Sequence, residues 1–121
     1  MALILFVDDD ILTLQMMRQA AEIVGHQAIT TSDCSSAVQI AVEQHPDLIF
    51  LDFNLQGTDG YEILQAIRMQ ETTANIPIIF LSAEAEQSMP EDVLANGAQA
   101  YLNKPIRLNL LMDVIRKYTD A

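Results

Sequence analysis

Short unbroken apolar runs alternate along the chain with longer stretches in which apolar residues recur every three or four positions. Leu3-Ile4-Leu5-Phe6-Val7, Leu48-Ile49-Phe50-Leu51 and Ile76-Pro77-Ile78-Ile79-Phe80-Leu81 have the length of strands. The last carries a proline near its start, where a strand tolerates one. Gln27 to Thr31 and Ala100 to Leu102 are weaker candidates. Unbroken hydrophobicity predicts burial on both faces, as in a parallel sheet covered by helices. The intervals supply those helices. Leu14, Met17, Ala21 and Val24 predict a first helix that Gly25 can end. Ala37, Ile40, Ala41 and Gln44 predict a second, halted before Pro46. Ile63, Leu64, Ile67 and Glu71 predict a third, with Asp59 as its N-cap. Ser88-Met89-Pro90-Glu91 has the form of a capping box and opens a short fourth helix ending near Gly97. Leu108, Leu111, Ile115 and Tyr118 share one face of a fifth. Five β/α units with right-handed crossovers make a doubly wound α/β domain with a parallel sheet.

The polar residues that follow the apolar runs carry the chemistry. Asp8-Asp9-Asp10 follows the first, Asp52 the second and Ser82 the third, and Lys104 comes two residues after the weak fifth run. In an open α/β sheet the C-terminal strand ends form the ligand crevice. Four separate segments therefore deliver carboxylates, a hydroxyl and an ammonium to one edge. A strand-end aspartate taken alone is more often a helix cap or turn former, and Asp10 is read that way. The joint placement is what points to function. Two carboxylates about 4 Å apart repel by about 4 kcal/mol at an effective dielectric of 20, so such a pocket calls for a cation. The hard oxygens of Asp8, Asp9 and Asp52 suit Mg²⁺, with Mn²⁺ as the alternative. Lys104 suits a phosphoryl group as a point charge, and Ser82 can donate to the same oxygens. Around a central carboxylate this is a phosphoryl-transfer constellation with Asp as nucleophile.

Length and composition narrow the picture. At 121 residues and 50% hydrophobic, the chain has room for one domain with its own core. Only 6 Lys+Arg stand against 17 Asp+Glu, a formal net charge of −11. That excludes a general affinity for nucleic acid or anionic membrane, both of which require a basic face. The one cysteine, Cys34, excludes an internal disulfide framework and a Cys-based zinc site. No stretch approaches the roughly 18 apolar residues that span a bilayer, and no basic region precedes the first apolar run. A soluble, cytoplasmic protein is expected. His26 and His45 have no paired ligand pattern and read as structural or solvated. The six methionines read as core filling. Arg107, Arg116 and Lys117 form a small basic group that reads as helix-end charge or a partner contact.

From Leu3 to about Tyr118 the sequence resembles a response-regulator receiver domain of two-component signalling, of the chemotaxis-regulator kind. The matching pieces are Leu5-Phe6-Val7-Asp8-Asp9-Asp10, Pro46-Asp47-Leu48-Ile49-Phe50-Leu51-Asp52, Asp59-Gly60, Ile78-Ile79-Phe80-Leu81-Ser82-Ala83, Gly97-Ala98 and Tyr101-Leu102-Asn103-Lys104-Pro105. The resemblance implies one receiver domain over residues 1–121, with a flavodoxin-like sheet in the order 2-1-3-4-5. It places Asp52 as the phosphoacceptor, loaded from a phosphohistidine of a sensor histidine kinase or histidine phosphotransfer protein. It gives Asp8, Asp9 and Asp52 to the metal, joined by the backbone carbonyl of Asn54. Lys104 takes the position that pairs with the phosphoryl group, and the Lys104–Pro105 bond is expected to be cis. Ser82 and Tyr101 hold the switch positions. They imply a change in the face built from the fourth helix, fifth strand and fifth helix, which would contact a downstream protein or a second copy. The protein would be a switch that turns over no external substrate.

Two residues depart from the family pattern. Gln56 stands where proline is usual, and Pro90 falls in the fourth helix. Both bear on the loop carrying Asn54 and on the output surface, not on the reacting groups. Asn54 and Glu84 flank the site, two residues after Asp52 and Ser82. Two other readings share some of these residues. A haloacid-dehalogenase-like phosphatase would use Asp8 and Asp10, but such enzymes carry further acidic ligands after the lysine, and here only Asp113 and Asp120 follow. An unphosphorylated interaction module would not need the intact acidic set.

Overall fold

The computed structural model describes residues 1–52, 54–55, 58–82 and 97–119. The strands of the main sheet are β1 (Leu3–Val7), β2 (Gln27–Thr31), β3 (Leu48–Asp52), β4 (Ile78–Ser82) and β5 (Ala100–Asn103). They form one parallel sheet in the order β2-β1-β3-β4-β5. The helices are α1 (Ile11–Ile23), α2 (Cys34–Gln44), α3 (Gly60–Arg68) and a C-terminal helix, Leu108–Thr119. This is the expected α/β fold with the expected strand order. The predicted fourth helix, with Pro90, Glu84 and Gln56, lies outside the described residues.

Each strand splits its side chains between two cores, which is why the runs are apolar throughout. Leu5, Val7, Ile49, Leu51, Ile78 and Phe80 face Ala37, Ala41, Ile63, Leu64 and Ile67 of α2 and α3. Ile4, Phe6, Leu48, Phe50, Ile79 and Leu81 face Leu14, Met17, Ala20 and Ala21 of α1 with Leu111 and Ile115 of the C-terminal helix. Phe6 and Phe50 stack at 5.2 Å between ring centroids. None of the described helices is long and apolar enough to cross a membrane.

Element ends follow local chemistry. Asp10 caps α1 and Asp33 caps α2, each accepting a backbone N–H from two residues on. The exit of α2 is His45, in the left-handed region at φ 49°. Helix α3 is shorter than the apolar spacing suggested, because the Thr73 hydroxyl donates to the Ile67 carbonyl that a further turn would have used. Glu71 therefore lies beyond the helix, exposed. Strand β4 begins at Ile78, two residues later than the apolar run.

Candidate functional site

Register decides which strand-end residues meet. Val7 pairs with Leu51, so the residues that follow them, Asp8 and Asp52, leave the sheet at the same level. Asp52 pairs with Leu81, which puts Ser82 one step beyond it. Ser82 pairs with Asn103, and its carbonyl accepts the Lys104 amide at 2.7 Å. Strand β5 runs one residue further than its apolar run, so Lys104 follows it directly.

The side chains converge accordingly. One oxygen from each of Asp8, Asp9 and Asp52 lies within 4.8 Å of the others. Asp8 and Asp52 are buried and Asp9 is exposed at the rim. Lys104 Nζ lies 2.7 Å from Asp8 Oδ2 and 3.1 Å from Asp52 Oδ2. It donates a hydrogen bond to Asp52. Burial alone would lower the Lys104 pKa, but the carboxylates of Asp8 and Asp52 outweigh that effect and hold it above its ordinary 10.5.

The carboxylates remain under-compensated. Asp8 Oδ1 accepts the Asp10 amide at 2.9 Å. Asp8 Oδ2, a buried oxygen, is held in an ion pair with the Lys104 ammonium. Among the described residues, two of these three carboxylates share one ammonium. Three hard carboxylate oxygens within 4.8 Å of one another, two of them on buried residues, fit a small divalent cation such as Mg²⁺.

The other candidates fall as follows. Ser82 is buried at the end of β4. Tyr101 is half-buried in β5, opposite Phe80, and packs on the core that faces α2 and α3. Asn54 lies in a two-residue strand paired antiparallel with Asp59, a hairpin that the apolar pattern did not announce. The Lys104–Pro105 bond is cis. Asp10 stays outside the cluster as a cap, as read. A cleft of about 500 Å³ opens beside Lys104, lined by Asp10, Leu12, Met16 and Pro105 among others. Sequence reasoning passed over Thr13, whose hydroxyl donates to Asp10. The spacing Asp10-x-x-Thr13 was the available signal.

Known proteins agree with this geometry. The family profile described as "Response regulator receiver domain" matches residues 4–116. The polar-differentiation response regulator DivK of Brucella ovis is 30% identical over 115 residues, 95% of this chain and 94% of DivK. The chemotaxis protein CheY4 of Vibrio cholerae superposes with a TM-score of 0.91 at 30% identity, covering 98% of both chains. The receiver domain of the sensor histidine kinase PA1611 from Pseudomonas aeruginosa gives 0.87 at 30% identity, covering 99% of this chain and 98% of its own. That structure holds a magnesium ion in its active-site cleft.

Proposed function

Because the chain belongs to the response regulator receiver domain family, we propose that it is a phospho-accepting switch whose acceptor is Asp52. Receivers are signalling switches rather than enzymes acting on external substrates, and a histidine kinase is the partner class that membership implies. In our reading residues 1–121 form one such domain. The donor is a phosphohistidine of a sensor kinase or a phosphotransfer protein. An oxygen of Asp52 forms the new bond to phosphorus as the phosphorus–nitrogen bond breaks, and the imidazole leaves with that electron pair.

The observation that carries this reading is the Lys104 ammonium shared by buried Asp8 and Asp52. Lys104 neutralises part of the charge that would otherwise repel an incoming phosphoryl group. Asp8, Asp9 and Asp52, with the Asn54 carbonyl, would hold Mg²⁺ or Mn²⁺, which supplies charge stabilisation to the phosphoryl oxygens. After transfer, Ser82 turns toward those oxygens and Tyr101 moves inward. The face that β5 and the C-terminal helix share with the predicted fourth helix then changes toward a downstream protein or a second copy. The phosphatase alternative is weakened because both Asp10 oxygens are engaged in the cap, away from the acid/base role it would need.

The test is incubation with a small phosphodonor and Mg²⁺, followed by mapping of the modified residue by mass spectrometry. Label on Asp52 that disappears in Asp52→Asn is expected. Label on Asp8 would favour the phosphatase, and no label with metal present would leave an interaction module.

A further inference from the structure

Three consecutive aspartates follow β1, yet two join the carboxylate cluster and the third does not. Asp10 commits both oxygens to the first turn of α1. Oδ1 accepts the Leu12 amide at 3.2 Å, and Oδ2 accepts the Thr13 hydroxyl at 2.6 Å. The Asp10 amide in turn donates to Asp8 Oδ1 at 2.9 Å. Asp10 thus links Thr13, which its side chain accepts from, to Asp8, to which its backbone amide donates. Its effect falls on Asp8, which is fully buried and has no solvent into which to reorient. With Oδ1 held by the Asp10 amide, Oδ2 faces Lys104 Nζ at 2.7 Å.

We propose that Thr13 is a positioning residue for the cation site. By clamping Asp10 it fixes the amide that orients Asp8, and it keeps the third carboxylate out of the cluster. The inference rests on reading Asp8, Asp9 and Asp52 as metal ligands. Groups that orient a ligand affect metal affinity through its geometry even though they never touch the ion. Thr13 is only half-buried and neutral, so its removal leaves the charge of the site unchanged.

The test compares wild type with Thr13→Val, Thr13→Ala and Thr13→Ser by two measurements. One is the calorimetric affinity for Mg²⁺ alone. The other is hydrogen exchange of the Asp10 amide in metal-free protein. Both Thr13→Val and Thr13→Ala are expected to bind Mg²⁺ about tenfold more weakly and to exchange the Asp10 amide faster. Thr13→Ser, which restores the hydroxyl, is expected to recover both. Wild-type Mg²⁺ affinity in Thr13→Val and Thr13→Ala would overturn the inference, whatever their melting temperatures. Wild-type protein that took up no Mg²⁺ would instead overturn the underlying reading of the site, a failure visible before any variant is made.

Discussion

At the N-terminal end of the sheet, Asp47 Oδ2 accepts the Leu3 amide at 2.8 Å and the Asp47 amide donates to the Leu3 carbonyl at 2.7 Å. His26 Nδ1 accepts the Ala2 amide at 3.0 Å, and its Nε2 lies 3.2 Å from the Thr119 hydroxyl, which donates to the Ile115 carbonyl. Each of these polar groups meets a complementary one, and together they tie β1, the turn before β2 and the last turn of the C-terminal helix. At the C-terminal end the arrangement is reversed. Among the described residues, three carboxylates crowd together and two of them share one ammonium. The first end is built of satisfied polar groups that hold the fold. The second is a concentration of like charge that the fold holds in place, and clustering of that kind marks a functional site.

The contrast breaks most sharply at Lys104. Lys104→Met leaves three carboxylates with no cation and is expected to cost about 3 kcal/mol without divalent metal, the low end for an unpaired buried charge because the ammonium keeps some solvent. Its side chain is 20% exposed and that of Asp8 0%. Urea denaturation at low ionic strength measures the loss, and added Mg²⁺ is expected to restore part of it. A loss no greater than that of an N-terminal-end variant would erase the distinction between the ends. Asp47→Ala is that variant. It removes one acceptor from an amide near the surface and is expected to cost about 1 kcal/mol, while the Mg²⁺-induced rise in melting temperature stays at its wild-type value.

The smallest effect belongs to Asp33, a carboxylate as satisfied as Asp47. The Ser35 hydroxyl, then the Ser35 amide and the Ser36 hydroxyl, hold its pKa below the ordinary 3.8. A depressed carboxyl pKa contributes stability that is present above pH 3.8 and lost as pH falls through the folded value. Asp33→Asn is expected to flatten that acid limb in melts recorded against pH, with a smaller loss near neutrality than Asp47→Ala. An acid limb as steep as wild type would mean that the cap carboxylate adds nothing.

The same contrast explains what could be read from the chain. Leu3–Val7, Leu48–Leu51 and Ile78–Leu81 announced the sheet because residues buried on both faces leave no polar alternation. The site was legible for a related reason. In a parallel sheet the strand ends share one edge, so Asp8, Asp52, Ser82 and Lys104 could be placed together from sequence alone. The locking contacts at the other end were not legible. Nothing in Asp47 or His26 indicates that Leu3 and Ala2 will present amides to them, because those pairings depend on register across 44 and 24 residues. His45 gave no sign of its left-handed backbone, which glycine would have signalled. The end of α3 was misplaced because Thr73, five residues past the last helical one, takes a helix carbonyl.

The direct measurement of the central claim is the melting temperature of Asp52→Asn against wild type at low ionic strength, with and without Mg²⁺. Among the described residues, neutralising Asp52 relieves repulsion from Asp8 and Asp9 and gives up attraction to Lys104. The variant is therefore expected to melt a few degrees higher than wild type when metal is absent. It is also expected to gain less from Mg²⁺, which binds the native cluster. A metal-free variant that melted lower than wild type would show the carboxylates to be satisfied already, and would contradict the account.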